Sequence, residues 1–289
     1  MKLPSSIGHF LCLSCIWRST AIAFFLVANS HASEMHINGA ETLWGQAIEG
    51  GLIIARTDPS NQVTLADNAV RVAKNGVFVI GFHRDSDIPE TLAITKLDGS
   101  TINTTLWPEQ RKYKIQRIDG LKSAMVTPPA AVLARIKADA EAVRAARKFD
   151  TPLGDFWQGF DWPAHGRISG VYGGQRILNG QPRQPHYGID IASPLGTPVY
   201  APANGRITLV KDLYFSGWTI VMAHGLGVNS SFLHLDTTLV NAGAFVKRGA
   251  IIGTIGATGR ATGPHLDWRI DWRGRRIDPG LLVEPMQPK

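Results

Sequence analysis

Short β-type runs separated by turn-forming residues dominate this sequence and limit the folds open to it. Between residues 33 and 125 the turns include TDPSN, KNG, HRDSD and LDG, and the runs between them are GGLIIAR, NQVTLA, AVRVA, GVFVIGF, TLAITKL and STINTTLW. Short strands at such regular spacing are typical of a sandwich or a barrel. We therefore predict a small β-sandwich-like accessory domain over residues 33–125. His36 and His83 lie there in polar surroundings and are interpreted as surface residues.

The same pattern returns after residue 151, with a single helical segment between the two β regions. Residues 126–150 predict a connecting helix, capped by Thr127 and with apolar Val132, Ile136 and Val143 on one face. From residue 151 to 289 glycine and proline punctuate strand-like runs throughout, which predicts a second β domain with little helix. The predicted fold class is therefore mainly β.

The first 32 residues have the features of a Sec-type signal peptide. Lys2 and Arg18 precede the apolar stretch AIAFFLVA, no acidic residue is present, and the small-x-small sequence SHA ends at Ala32. Both cysteines, Cys12 and Cys15, lie in this segment. We therefore expect an exported, periplasmic protein without disulfides, in which any metal site must use histidine and carboxylate ligands.

The net charge of the chain indicates which kinds of binding partner to expect. The formal net charge of +7 falls to +5 when residues 1–32 are removed. A basic exported protein suits an anionic polymer such as the bacterial cell wall, or a membrane surface. The sequence has no run of lysine and arginine, so nucleic acid is not an expected partner. We also expect no stable membrane span once the signal is removed, and protein partners stay unknown.

Residues 263–272, GPHLDWRIDW, predict a strand with a polar face. His265 and Asp267 share that face, whereas Leu266, Trp268, Ile270 and Trp272 fall on the opposite one. If HYGIDIA is also a strand, His186 and Asp190 point the same way, four residues apart. A catalytic zinc site takes three protein ligands and keeps one position open, and histidine and carboxylates can supply them.

Three segments of the C-terminal region resemble the lysostaphin/LytM-type zinc peptidases, which cut peptide cross-links of peptidoglycan. The resemblance covers residues 165–282, and the segments are HYGIDIASPLGTPVYAPANGRI, SSFLHL and GATGRATGPHLD. It implies an antiparallel β catalytic domain in which His186 and Asp190 hold one zinc ion. It also implies that His234 and His265, which are not metal ligands in that family, act as catalytic residues. Phe232 stands where the family has a tyrosine.

Asp267 departs from the family pattern, because the resemblance implies a zinc-binding histidine at that position. Aspartate is a competent zinc ligand, and we expect Asp267 to take the third place. Its shorter side chain requires a closer strand or a bridging water. Two carboxylates and one imidazole would neutralise the ion and weaken it as a Lewis acid, which favours slower or more alkaline chemistry, or tolerance of manganese. The alternative is that Asp267 pairs with Arg269, Arg273 or a catalytic histidine.

The resemblance implies an exported zinc metalloendopeptidase acting on the peptide stems of peptidoglycan. Two alternatives remain open. One is a catalytically inactive LytM-like domain that binds the wall or activates an amidase, and the other is a wall-binding module without metal. Arg176 is interpreted as a surface charge in preference to a group that holds a substrate carboxylate, and His165 and His224 receive no catalytic role.

Overall fold

Eight short strands form the first part of the chain in this computed structural model, which describes residues 36–120, 128–151 and 155–286. The strands are β1 (Glu41–Trp44), β2 (Leu52–Arg56), β3 (Gln62–Leu65), β4 (Asn68–Val70), β5 (Val77–Gly81), β6 (Glu90–Thr95), β7 (Thr101–Leu106) and β8 (Ile115–Ile118). Strands β2 to β7 overlap the six predicted runs, whereas β1 and β8 were not predicted. One sheet has the order β1-β2-β5 and a second has the order β4-β3-β6-β7, both antiparallel.

Twelve further strands follow the helix. They are β9 (Arg167–Gly170), β10 (Gln175–Leu178), β11 (Gln181–Pro182), β12 (Ile189–Ala192), β13 (Pro198–Tyr200), β14 (Gly205–Leu213), β15 (Gly217–Gly225), β16 (Val228–Thr238), β17 (Phe245–Val246), β18 (Ile251–Ile255), β19 (His265–Trp272) and β20 (Arg275–Ile277). Their main sheet has the order β17-β14-β15-β16-β19-β12-β9, and β18 also pairs with β13 and β16. All these pairings are antiparallel. The predicted mainly β class is confirmed.

One small sheet joins the two halves of the chain. In the order β11-β10-β8, strand β10 pairs in parallel with β8, which comes from the first half. The apolar core is likewise continuous, and it includes Phe78 and Ile80 from β5 as well as Phe232 and Trp268 from the main sheet. The proposed boundaries at residues 33–125, 126–150 and 151–289 stay a prediction. The predicted signal peptide and the Thr127 cap lie outside the described residues.

The helix α1 spans Leu133–Arg147 and follows a 3-10 turn over Ala130–Val132. Its buried residues are Asp139 and Ala146, whereas Val132, Ile136 and Val143 of the predicted apolar face are only partly covered. The Asp139 carboxylate accepts a hydrogen bond from the backbone N–H of Tyr214 at 2.8 Å and pairs with Lys211 at 3.2 Å. Polar contacts to β14 and the turn after it, more than an apolar stripe, therefore fasten the helix.

Two more 3-10 turns, Asp155–Gln158 and Pro279–Leu281, complete the regular elements. Among the described residues, no helix is long and apolar enough to cross a bilayer.

Strand β19 lies at the centre of the main sheet, and its two faces divide as predicted. Leu266, Trp268 and Ile270 are completely buried, and Trp272 is 3% exposed. His265, Asp267, Arg269 and Asp271 all line the large cleft on the other face. The alternation of side chains in a strand therefore produces a core side and a cleft side from one octapeptide.

Candidate metal centre

Two aspartates meet across neighbouring strands at the floor of the cleft. Strands β12 and β19 are antiparallel, and Asp190 lies directly opposite Asp267 in their register. Side chains at opposite positions of an antiparallel pair lie close together on the same face. Both aspartates are buried, with 8% and 3% exposure. The short side chain of Asp267 therefore reaches the centre because its strand pairs directly with the strand of Asp190.

His186 joins the two aspartates, although not for the predicted reason. The strand begins only at Ile189, so His186 lies in an irregular segment and the expected alternation within one strand does not apply. The segment nevertheless brings His186 Nε2 to 3.0 Å from Asp190 Oδ1. One potential ligand atom each from His186, Asp190 and Asp267 lies within 4.8 Å of the other two.

The orientation of these buried groups fits a cation. His186 Nε2 and Asp190 Oδ1 are both buried, and neither has a hydrogen-bond partner among the described residues, even though they are 3.0 Å apart. Leaving buried polar atoms unsatisfied costs about 1–3 kcal/mol each, so such atoms need an explanation. Nitrogen and oxygen lone pairs that converge without bonding to each other match the ligand set of a zinc site.

Asp267 has a second partner, Arg269, on the same face of β19. The Arg269 Nε lies 3.0 Å from Asp267 Oδ1, and a terminal nitrogen lies 2.5 Å from Oδ2. Burial opposes ionisation of Asp267, but the neighbouring Arg269 guanidinium outweighs that effect and holds the pKa of Asp267 well below its usual range. Asp267 is therefore a carboxylate that faces the candidate ligands and is fastened by a guanidinium.

His234 reaches the cleft through a distortion of β16. Its φ is +63°, and the pairing of β16 with β15 shifts register between Phe232 and Leu235. Phe232 and Leu235 are both completely buried in the core, whereas Leu233 and His234 both line the cleft. In a regular strand His234 would share the face of Phe232. The bulge is what turns His234 toward the aspartates.

His234 and His265 form a pair beside the three candidate ligands. Their ring centroids are 4.8 Å apart, and His265 Nε2 lies 3.9 Å from Asp190 Oδ1. The Nδ1 of His234 lies 2.8 Å from the Thr258 carbonyl oxygen, and that of His265 lies 2.8 Å from the Gly263 carbonyl oxygen. Each Nδ1–H therefore donates to the backbone, which leaves each Nε2 as an acceptor when the ring is neutral. Burial lowers the pKa of His234 and favours that neutral form.

The other histidines named from the sequence lie apart from this group. His36 and His165 are exposed, and His83 is half-buried near Asp85. His224 is completely enclosed, with its ring nitrogens 2.8 Å from the Asn204 carbonyl oxygen and 2.8 Å from the Ser230 hydroxyl. None of the four lines the cleft.

The cleft above these residues measures about 1580 Å³, and arginines dominate its charged lining. Sequence reasoning treated Arg176 as a surface charge, but a terminal nitrogen of Arg176 lies 3.3 Å from Asp190 Oδ2. Arg183 and Arg260, which the sequence analysis did not single out, line the same cleft. Arg183 lies outside the motifs that carry the resemblance, and Arg260 lies in a glycine-rich loop. Neither a motif nor the period of a strand therefore identifies them as cleft residues.

Comparison with known proteins agrees with this geometry. Residues 184–279 match the model of peptidase family M23. Peptidoglycan DD-endopeptidase ShyB of Vibrio cholerae is 43% identical over 94 residues, which cover 32% of this chain and 22% of that protein. ShyA, a peptidoglycan DD-endopeptidase of the same organism, is 42% identical over 102 residues, covering 35% of this chain and 24% of that protein. The match thus spans less than a quarter of these relatives' length.

A solved structure matches a larger part of the chain. The crystal structure of a putative peptidase M23 from Pseudomonas aeruginosa has a TM-score of 0.66 and 27% sequence identity. The superposition covers 83% of this chain and 96% of that one. The likeness therefore extends into the first half of the chain.

Proposed function

We propose that this protein is a zinc-dependent endopeptidase that hydrolyses peptide cross-links of peptidoglycan, because residues 184–279 match the model of peptidase family M23. The carrying observation is that His186 Nε2 and Asp190 Oδ1 are buried 3.0 Å apart without hydrogen-bonding to each other or to any described residue. Two relatives named as peptidoglycan DD-endopeptidases support the substrate class.

The proposed metal ligands are His186, Asp190 and Asp267. These residues would hold a zinc ion, which would supply Lewis acidity toward the scissile carbonyl and toward water. Arg269 orients Asp267 and balances the charge of the second carboxylate, as groups that bond to metal ligands generally do.

His234 and His265 are the proposed catalytic residues. Their Nδ1 atoms are occupied by backbone carbonyls, so both rings are fixed in orientation. Each neutral Nε2 can take a proton from the attacking water and return it to the leaving amine. In its protonated form the same nitrogen can donate a hydrogen bond to the oxyanion that develops on the substrate carbonyl.

The sequence also bears on where the protein acts. We propose that residues 1–32 direct export and that the enzyme acts in the periplasm, where its positively charged cleft would meet the anionic cell wall.

The test is digestion of purified cross-linked muropeptides, read by mass spectrometry, with zinc measured on the same samples. We expect about one zinc per chain and cleavage of the cross-link by the wild type. His234→Ala should keep zinc and lose activity, and His186→Ala should lose both. Lys247→Ala, an exposed position outside the cleft, serves as the control for a lost positive charge.

One observation favours a second candidate, a catalytically inactive LytM-like domain that binds the wall or activates an amidase. Arg269 already bonds to both oxygens of Asp267. A purified protein that binds sacculi but contains no zinc and cleaves no muropeptide would support this candidate and exclude the enzyme.

A further inference from the structure

Three arginines from separate segments form one wall of the cleft. Arg176 belongs to β10, Arg183 follows β11, and Arg260 lies in the loop between β18 and β19. The backbone N–H of Arg183 donates to the Arg176 carbonyl at 2.9 Å, which places the first two side by side. We refer to Arg176, Arg183 and Arg260 as the arginine wall.

The wall concentrates positive charge. Burial lowers the pKa of Arg260, and the neighbouring charges of Arg176, Arg183 and Arg269 lower it further. The Nε atoms of Arg176 and Arg183 are buried and have no hydrogen-bond partner among the described residues. Like charges gathered with unsatisfied donors are costly, and such a site is relieved by an anion.

Most of the aspartates that line the cleft have partners outside the arginine wall. Asp267 is held by Arg269, and Asp271 lies 3.6 Å from Arg276. Asp139 bonds to the backbone N–H of Tyr214, and Asp150 pairs with Arg71 at 3.0 Å. The remaining aspartate, Asp190, lies 3.3 Å from Arg176 but belongs to the candidate ligand group. A metal bound by the candidate ligand group would interact with the same Asp190 carboxylate. That carboxylate would then offset less of the positive charge of the arginine wall.

From these contacts we propose that the arginine wall binds a free carboxylate of the substrate peptide, next to the amide that is cut. This inference rests on the proposed function. When D-alanine is linked to a diaminopimelate-type diamino acid, the carbon attached to the amide nitrogen also carries a carboxylate. Arginine recognises carboxylates through paired N–H donors. With a terminal nitrogen of Arg176 3.3 Å from a candidate metal ligand, the wall is near enough to hold that group.

The consequence is substrate specificity. Cross-links whose diamino acid keeps its carboxylate should be preferred over cross-links in which that carboxylate is amidated. An amide removes the negative charge and places N–H donors against guanidinium donors, and mispairing of buried donors discriminates strongly.

Arg183 is the position to vary, because Arg176 touches Asp190 and its loss would disturb the metal ligands. Cross-linked muropeptides with free and with amidated carboxylates are digested in parallel by the full chain. We expect the wild type to prefer the free acid roughly 10- to 100-fold in kcat/KM, as for a charge-assisted hydrogen bond. Arg183→Ala should lower that preference about tenfold through a rise in KM, Arg183→Lys should recover part of it, and Lys247→Ala should keep it.

A binding measurement separates this inference from the proposed function. The affinity of both uncleaved peptides is measured for His265→Ala with and without Arg183→Ala. Tighter binding of the free acid that depends on Arg183 supports the arginine wall even if no cleavage occurs. Equal binding or equal cleavage of the two peptides by protein with an intact wall overturns the inference and leaves the endopeptidase proposal standing wherever cleavage is seen.

Discussion

Arg269 and Asp267, two residues apart on one strand, are joined by contacts of 3.0 Å and 2.5 Å on the floor of the cleft. Asp267 is at the same time opposite Asp190, which belongs to the candidate ligand group. Without a bound cation, Arg269 is the group that offsets the Asp267 charge beside a second carboxylate. The aspartate at the position where the resemblance implies a zinc-binding histidine is thus accompanied by a guanidinium that balances its charge.

Arg269→Met should therefore destabilise the metal-free protein. Removing one partner of a buried pair leaves an uncompensated charge and costs about 3 kcal/mol. A bound cation would restore the balance, so the gain in unfolding free energy on adding zinc should be larger in Arg269→Met than in the wild type. Urea unfolding in chelator and in zinc measures both quantities. Arg167→Met, at an exposed arginine, is the control, and an equal zinc-induced gain in all three proteins contradicts the prediction.

Gly170→Ala should weaken metal binding while the fold is retained. A Cβ at Gly170 would lie 2.2 Å from Asp190 Oδ2, so the carboxylate must move. Misplacing one ligand group should weaken zinc affinity roughly 10- to 100-fold. Gly174→Ala is the matched control, because its Cβ would meet its nearest atoms at 3.7 Å and its backbone φ is not positive. Competition with a chromogenic chelator measures the affinities, and similar values for the two variants would refute the argument.

His224 should make the protein less stable in acid. Its complete burial lowers its pKa from 6.5 to about 4, so the folded state takes up a proton less readily than the unfolded state. As the pH falls from 6.5 to 4 the unfolded state gains this proton first, which removes about 3 kcal/mol of unfolding free energy. Urea unfolding at several pH values should show this loss in the wild type. His224→Gln, which has no titrating group there, should show a smaller loss over the same range, and parallel curves would count against His224 as the cause.

Asp139→Ala should loosen the helix α1 from the main sheet. The substitution leaves the N–H of Tyr214 without its acceptor at 2.8 Å and removes the pair with Lys211. We expect a loss of about 1–3 kcal/mol in unfolding free energy and faster proteolysis within residues 128–150. Asp139→Asn keeps an acceptor oxygen and should lose less. Equal effects of alanine and asparagine would show that this hydrogen bond does not fasten the helix.

The sequence alone predicted the features that depend on the two-residue alternation of side chains along a strand. The alternation in GPHLDWRIDW predicted both the buried face of β19 and the polar face of the cleft, because side chains alternate along any strand whatever its partners. The turn residues likewise located six of the eight strands of the first half, β2 to β7, and indicated the mainly β class. Five candidate site residues were identified from motifs that resemble the lysostaphin/LytM-type peptidases, namely His186, Asp190, His234, His265 and Asp267.

Tertiary structure decided how those residues meet. His186 reaches Asp190 through an irregular segment, and His234 reaches the cleft through a bulge with a positive φ, neither of which a period of two can predict. The register of β12 against β19 sets Asp190 opposite Asp267, and three separate segments of the chain bring the arginine wall together. These relationships depend on pairing between segments far apart in the chain. Local sequence determines which way a side chain points along its own strand, whereas the neighbouring strands determine what it faces.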